Sequence, residues 1–167
     1  MPDKQTLDRA RADKRAGKAP STQAGEFIKE EMDHIREGKH GARSSKQAIA
    51  IGLSKARRAG VNLPPPAAGK TSDQTRKRAA RDYARGHGAP SRSTATSKRS
   101  KASINALKRE STAAASPQAL SRQAHGAAQR RSPAERSGAA KKAALTKGAA
   151  VRSAASRKAA QSRHARV

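Results

Sequence analysis

The sequence predicts a mostly disordered chain with all-α elements: a small helix–turn–helix hairpin near residues 22–60, a basic helix near 73–85, and an Ala/Lys/Arg-rich low-complexity tail with nascent helices. Three observations carry this expectation. Val, Ile, Leu and Phe together number 15 of 167 residues. Below roughly 20 % of these residues, with high net charge, a chain is expected to stay disordered, because it cannot bury enough apolar surface to offset the entropy of ordering. The net charge is +26, from 38 Lys and Arg against 12 Asp and Glu, and residues 61–167 hold +20 of it. Eight of the 15 large apolar side chains fall between residues 21 and 63, the one stretch able to carry a local core.

Residues 1–20 read as a charged N-terminal arm. A helix between Asp3 and Gly17 has Leu7 as its single large apolar side chain, so it is expected to fray. Residues 21–63 read as the hairpin module. Ile28, Met32 and Ile35 fall at i, i+4 and i+7, one face of a helix. Ser21 or Thr22 is placed to cap its start, Glu26 puts negative charge in its first turn, and Gly38 ends it. Ser44 and Gln47 form an S-x-x-Q capping box for a second helix. That helix places Ile49, Gly52, Leu53 and Ala56 on one face, and Gly52 permits close helix approach. Gly60 stands where a left-handed C-cap belongs, with Val61 as its apolar companion. A module of about 40 residues is marginal by itself, so self-association or a partner is expected to complete it.

Residues 64–90 read as a linker, opening on Pro64-Pro65-Pro66 and carrying the basic helix 73–85. Thr71 and Gln74 offer its T-x-x-Q start and Gly86 its C-cap. Lys77, Arg81 and Arg85 recur at i+4 with Arg78 beside them, a continuous basic stripe. Residues 91–167 read as the tail and contain a 16-residue repeat: Arg136-Ser137-Gly138-Ala139-Ala140 aligns with Arg152-Ser153-Ala154-Ala155-Ser156. Ser116-Pro117 and Ser132-Pro133 keep the same offset and suit helix starts, since Ser caps and Pro fits the first helical position. Ala-rich basic stretches have high helix propensity but no apolar face. The tail is therefore expected to be disordered when free and partly helical when its charges are neutralised.

The charge points to a polyanion as partner, and nucleic acid is the first candidate. Single or paired basic residues separated by small ones suit phosphates along a backbone. Each contact with duplex DNA contributes roughly −0.9 to the salt slope of binding. The candidate nucleic-acid-binding residues are Lys46 and Gln47 at the start of the second helix, Arg57 and Arg58 at its end, and Arg76, Lys77, Arg78, Arg81 and Arg85 on the third. In the tail they are Lys98, Arg99, Lys101, Lys108, Arg109, Arg130, Arg131, Lys141, Lys142, Arg157 and Lys158. Base stacking is disfavoured, because Phe27 and Tyr83 are the only aromatic residues. Specific readout by Lys46 and Gln47 is disfavoured too, because the turn at 38–44 is longer than a helix-turn-helix motif uses.

Other classes are poorly served. With no Cys there is no disulfide and no thiolate metal site. Glu30, His34 and Glu37 share a helix face, read as a solvated, salt-linked one, so no metal and no cofactor are expected. No enzyme is expected either, for want of a core to hold catalytic groups. No apolar run reaches 18 residues and no apolar signal segment opens the sequence. A cytoplasmic protein of the bacterial nucleoid, without membrane contact, is the expectation.

Two resemblances add to this. The segment Gly25-Glu26-Phe27-Ile28-Lys29-Glu30-Glu31-Met32, Lys39-His40-Gly41, Lys46-Gln47-Ala48-Ile49-Ala50-Ile51-Gly52-Leu53-Ser54-Lys55-Ala56 and Arg57-Arg58-Ala59-Gly60 resembles an uncharacterised family of small basic bacterial proteins, a domain of unknown function. That resemblance implies no activity and supplies no catalytic residues. The tail resembles the Lys/Ala-rich tails of bacterial histone H1-like proteins, with Arg and Ser replacing much of the Lys and Pro. The expected function is thus non-enzymatic, largely sequence-independent DNA binding, histone H1-like and nucleoid-associated. The alternatives are an RNA- or ribosome-associated basic protein, and an adaptor that binds a protein partner through the 21–63 hairpin.

Overall fold

The computed structural model describes residues 2–89 and 97–164, and every regular element among them is helical. In chain order these are α1 (Lys4–Arg15), α2 (Pro20–Arg36), α3 (Ser45–Arg58), α4 (Asp73–Gly86), α5 (Ser97–Lys108), a 3₁₀ turn (Thr112–Ala115), α6 (Pro117–Gln129) and α7 (Pro133–His164). The expectation of a mostly disordered chain is overturned. Its error was to weigh only large apolar side chains. Eight of the twelve buried apolar residues described are Ala. Alanine methyls bury little area each, but they let helix backbones approach until dispersion contacts become dense.

The chain divides into two units, Met1–Gln123 and Ala124–Val167. In the first, α2 and α3 pack against each other, α1 lies on α2, α4 lies on α3, and the 3₁₀ turn touches both central helices. At the α2–α3 crossing, a Cβ on Gly52 would stand 2.8 Å from Ile28 Cα. Two apolar clusters form. One joins Met32, Ile35, Ala42 and Ala48 to Ala114 and Ala115, with Ile28, Ile49 and Leu120 packed around it. The other joins Ala10, Ala24, Phe27, Ala56 and Val61, with Leu7, Leu53 and Leu63 around it.

The residues 1–20 are therefore not a frayed arm. Thr6 and Ala10 of α1 are buried, and Leu7 packs against the second cluster. The tail does not begin where its composition changes, either. The Gly41 N–H donates to the Leu107 carbonyl at 2.9 Å and the Ala42 N–H to that of Ser111 at 3.1 Å. Ser45 Oγ donates to the Ala114 carbonyl at 2.6 Å, and Arg36 Nε to that of Ala115 at 3.2 Å. This segment completes the hairpin's apolar face within the same chain.

Local signals explain most helix ends. Ser44 Oγ accepts from the Gln47 N–H at 3.3 Å, while Gln47 Oε1 accepts from the Arg43 N–H at 2.9 Å. Gly60 takes φ +84°, and the Val61 N–H donates back to Ala56 across six residues, the geometry of a Schellman cap. Two expected starts shift. α2 opens on Pro20 with no side-chain cap, so neither Ser21 nor Thr22 caps it. α4 is capped by Ser72, not Thr71, through the Thr75 N–H. α6 and α7 begin at Pro117 and Pro133. Ser132 and Glu135 form a reciprocal capping box at 2.8 and 3.2 Å. α7 is helical on both sides of Gly148, whose φ of 67° and ψ of 166° interrupt it. No helix among the described residues is long and apolar enough to cross a membrane.

The α2–α3 pair also holds a buried charged group. Glu30 is 4 % and Glu31 0 % exposed. Lys55 Nζ reaches both, at 3.1 Å from Glu30 Oε1 and 2.8 Å from Glu31 Oε2. Burial alone pushes Glu30 up. Hydrogen bonds from Thr6, the Asp3 N–H and Lys55 outweigh it and hold Glu30 below the usual carboxylate range. Burial likewise pulls the Lys55 ammonium down, but its two carboxylate partners leave it raised.

Candidate nucleic-acid interface

A basic surface of the first unit lies on α4 and the end of α3. α4 forms because its Ser72 cap and Asp73 satisfy the positive N-terminal end. Ala79 is its one buried residue and turns toward α3. That registration leaves Lys77, Arg78, Arg81 and Arg85 exposed. At the C-terminal end, a Cβ on Gly86 would overlap the Arg57 carbonyl oxygen, so glycine lets α4 lie directly against α3.

A groove of about 320 Å³ results, lined by Ser54, Arg58, Arg78, Arg81, Asp82 and Arg85. Four guanidinium groups face one carboxylate. Asp82 is already committed, accepting from Ser54 Oγ and pairing with Arg58 Nε at 3.6 Å. Arg78, Arg81 and Arg85 have no acidic partner among the described residues. Arg76 is only half exposed and donates to its own helix's Asp73 at 3.1 Å. The i, i+4 steps of the stripe advance about 6 Å along the helix, near the roughly 6.8 Å axial rise of two phosphates on one DNA strand.

The other candidate residues are placed differently. Lys46 is exposed, but Gln47 is engaged in capping α3. Arg57 is a correction: it is 7 % exposed, and its Nε donates to the Leu63 carbonyl at 3.1 Å. It ties the end of α3 to the chain that follows and offers nothing to a phosphate. Tyr83 donates to Asn62 Oδ1 at 2.6 Å and stacks on His87 with centroids 4.0 Å apart, so it is held in place locally. Lys101, Lys108 and Arg109 are all exposed on or just after α5. The side chains of Lys98 and Arg99 lie outside the described residues.

In the second unit, Arg130, Arg131, Lys141, Lys142, Arg157 and Lys158 are all exposed. From Ala124 onward the sequence holds eleven basic residues and one acid, Glu135, which caps α7. Leu145 and Val151 are exposed on α7, which buries none of its described side chains.

Sequence reasoning missed two participants. Ser54 and Asp82 complete the α3–α4 groove, and only the packing of the two helices brings them together. The Glu30, His34 and Glu37 face is also rearranged. Glu30 is buried on Lys55, His34 Nε2 stands 3.2 Å from Asp3 Oδ2, and Glu37 pairs with Lys39 at 2.9 Å.

No curated protein and no solved structure matches this chain. Residues 11–66, which span the second half of α1, the α2–α3 hairpin and the proline run, match the model described as Family of unknown function (DUF6496).

Proposed function

We propose that this chain is a non-enzymatic DNA-binding protein of the bacterial nucleoid, which neutralises backbone phosphates with little regard to base sequence. The observation that carries the reading is the α3–α4 groove, where three exposed arginines without acidic partners among the described residues repeat along one helix. Helix α7 supports it as a second basic surface. A formed helix presents its charges with less backbone entropy left to lose than a disordered tail would. The small residues between the charges let the helix lie close to a duplex. Phosphate contacts of this kind position a protein without specifying sequence.

The test is a salt-titrated gel shift on a random duplex with the whole chain and an R78Q/R81Q/R85Q variant. If all three groups touch phosphate, the magnitude of the slope of log K against log salt falls by about 2.7. A control variant removes equal charge from exposed positions on α1, at Lys4, Lys14 and Arg15. An equal loss in both variants would place the interface elsewhere.

A further inference from the structure

We propose that Glu31, His34 and His40 form a site for one divalent transition-metal ion of the zinc class, which pins the turn between α2 and α3. Two imidazoles and a carboxylate make a borderline N/O donor set suited to Zn²⁺, Co²⁺ or Ni²⁺. One donor atom from each residue lies within 4.8 Å of the other two.

The spacing favours an ion over a direct bond. His40 Nε2 is 3.4 Å from Glu31 Oε1. That is long for a good N–H···O hydrogen bond. Tetrahedral zinc, with bonds of about 2.0–2.1 Å, sets its ligand atoms about 3.3 Å apart. Glu31 is fully buried, yet neither of its oxygens has a partner in hydrogen-bond geometry. Lys55 approaches Oε2 as an ion pair, and Oε1 faces His40. A buried carboxylate oxygen left so is costly unless something completes it.

The His40 imidazole is oriented for ligation. His40 Nδ1 stands 3.1 Å from the Gly41 carbonyl oxygen, which can only accept. Nδ1 therefore carries the proton and Nε2 presents its lone pair toward Glu31, the backbone support that metal-bound histidines typically keep. Asp3 gives the His34 ring its carboxylate partner at 3.2 Å. A polar cavity of about 180 Å³, lined by Asp3, Thr6, Glu30, Asp33 and His34 among others, reaches the His34 side of the site.

The local charge agrees. Glu30 and Glu31 share a single ammonium, Lys55, and Asp3 stands beside Glu30 and His34. The other cations lining the adjoining cavity are paired: Arg9 with Glu26 at 2.6 Å, Lys29 with Asp33 at 3.1 Å and Lys39 with Glu37 at 2.9 Å. A dication makes up the deficit. The site would join α2 to the residue next to Gly41, whose N–H holds the Leu107 carbonyl. The ion is thereby a structural one that steadies the platform on which residues 107–115 dock.

The test uses the full-length, tag-free chain, stripped with chelator and titrated with Zn²⁺ by calorimetry and with Co²⁺ by visible absorption. The expected result is one ion per chain, a tetrahedral Co²⁺ band, and a Zn²⁺-dependent rise in Tm. His34→Gln and His40→Gln each weaken binding at least tenfold and abolish the rise, while His125→Gln, in an exposed position on α6, changes neither. Both variants are checked for helicity by circular dichroism, and the partly exposed His40 is the one whose replacement disturbs packing least. The proposal is overturned if the double His34→Gln/His40→Gln variant binds Zn²⁺ as tightly as the unaltered chain. It is equally overturned if the unaltered chain binds none, which would leave Glu31 paired with Lys55 alone.

Discussion

Gly41 is the position at which the docking of residues 107–116 can be broken by one methyl group. A Cβ there would overlap the Glu110 carbonyl oxygen and come within 2.8 Å of that of Ser111. Both are backbone atoms and cannot swing aside. Gly41→Ala must therefore push the segment away from the α2–α3 turn. The displacement breaks the Gly41–Leu107 and Ala42–Ser111 hydrogen bonds, about 1 kcal/mol each. It also uncovers the methyls of Ala114 and Ala115, about 0.8 kcal/mol each. Chain entropy regained by the freed segment offsets part of this, leaving a destabilisation of about 2–3 kcal/mol. For a unit this size the fall in Tm is roughly 6–12 °C. Amide hydrogen exchange gives the local readout: the Gly41 and Ala42 N–H groups lose protection, while α1 and the body of α2 keep theirs. Unchanged protection at Ala42 with Tm within a degree would refute the docking and return residues 107–116 to the tail.

Three further predictions concern single side chains. Gly25→Ala on α2, with open space at its Cβ, gains about 0.5–1 kcal/mol from helix propensity, whereas Gly52→Ala is less stable than Gly25→Ala by about 1–3 kcal/mol because its methyl meets Ile28 backbone; urea denaturation of the pair measures the difference. Lys55→Met leaves Glu30 and Glu31 without their ammonium and lowers stability by about 3–5 kcal/mol in chelator-treated protein, and Lys55→Arg recovers part of it, by the same assay. Ser132→Ala removes the cap of α7 at a cost of about 1 kcal/mol, seen as lost helicity by circular dichroism, with Ser132→Asn close to the unaltered chain.

Much of the hairpin was legible because local rules govern it. The Ile28-Met32-Ile35 stripe, the Ser44–Gln47 cap, the Gly60–Val61 ending and the Ser-Pro helix starts depend on neighbours within a turn or two. What composition hid depends on distance. Nothing in Thr112-Ala113-Ala114-Ala115 distinguishes these alanines from the many others of the tail, yet Ala114 and Ala115 pack with Met32, Ile35 and Ala48. Leu7 looked isolated because its partners, Phe27 and Ala56, lie on other helices. Average charge misled in the same way, since the first unit neutralises its own surface through pairs such as Arg9–Glu26 and Lys18–Asp13. At the candidate interface the α4 stripe was readable from its i+4 spacing. The burial of Arg57 was not, because its neighbour Arg58 has the same chemistry and only the helix register turns one inward and the other outward.

The most direct test of DNA binding is the salt dependence of the whole chain on one random duplex, with structured RNA and single-stranded DNA as competitors. The account predicts a slope of roughly −5 or steeper, about six phosphates or more, with duplex the best competitor. A slope shallower than about −2, or RNA displacing the duplex more effectively than duplex itself, would contradict it.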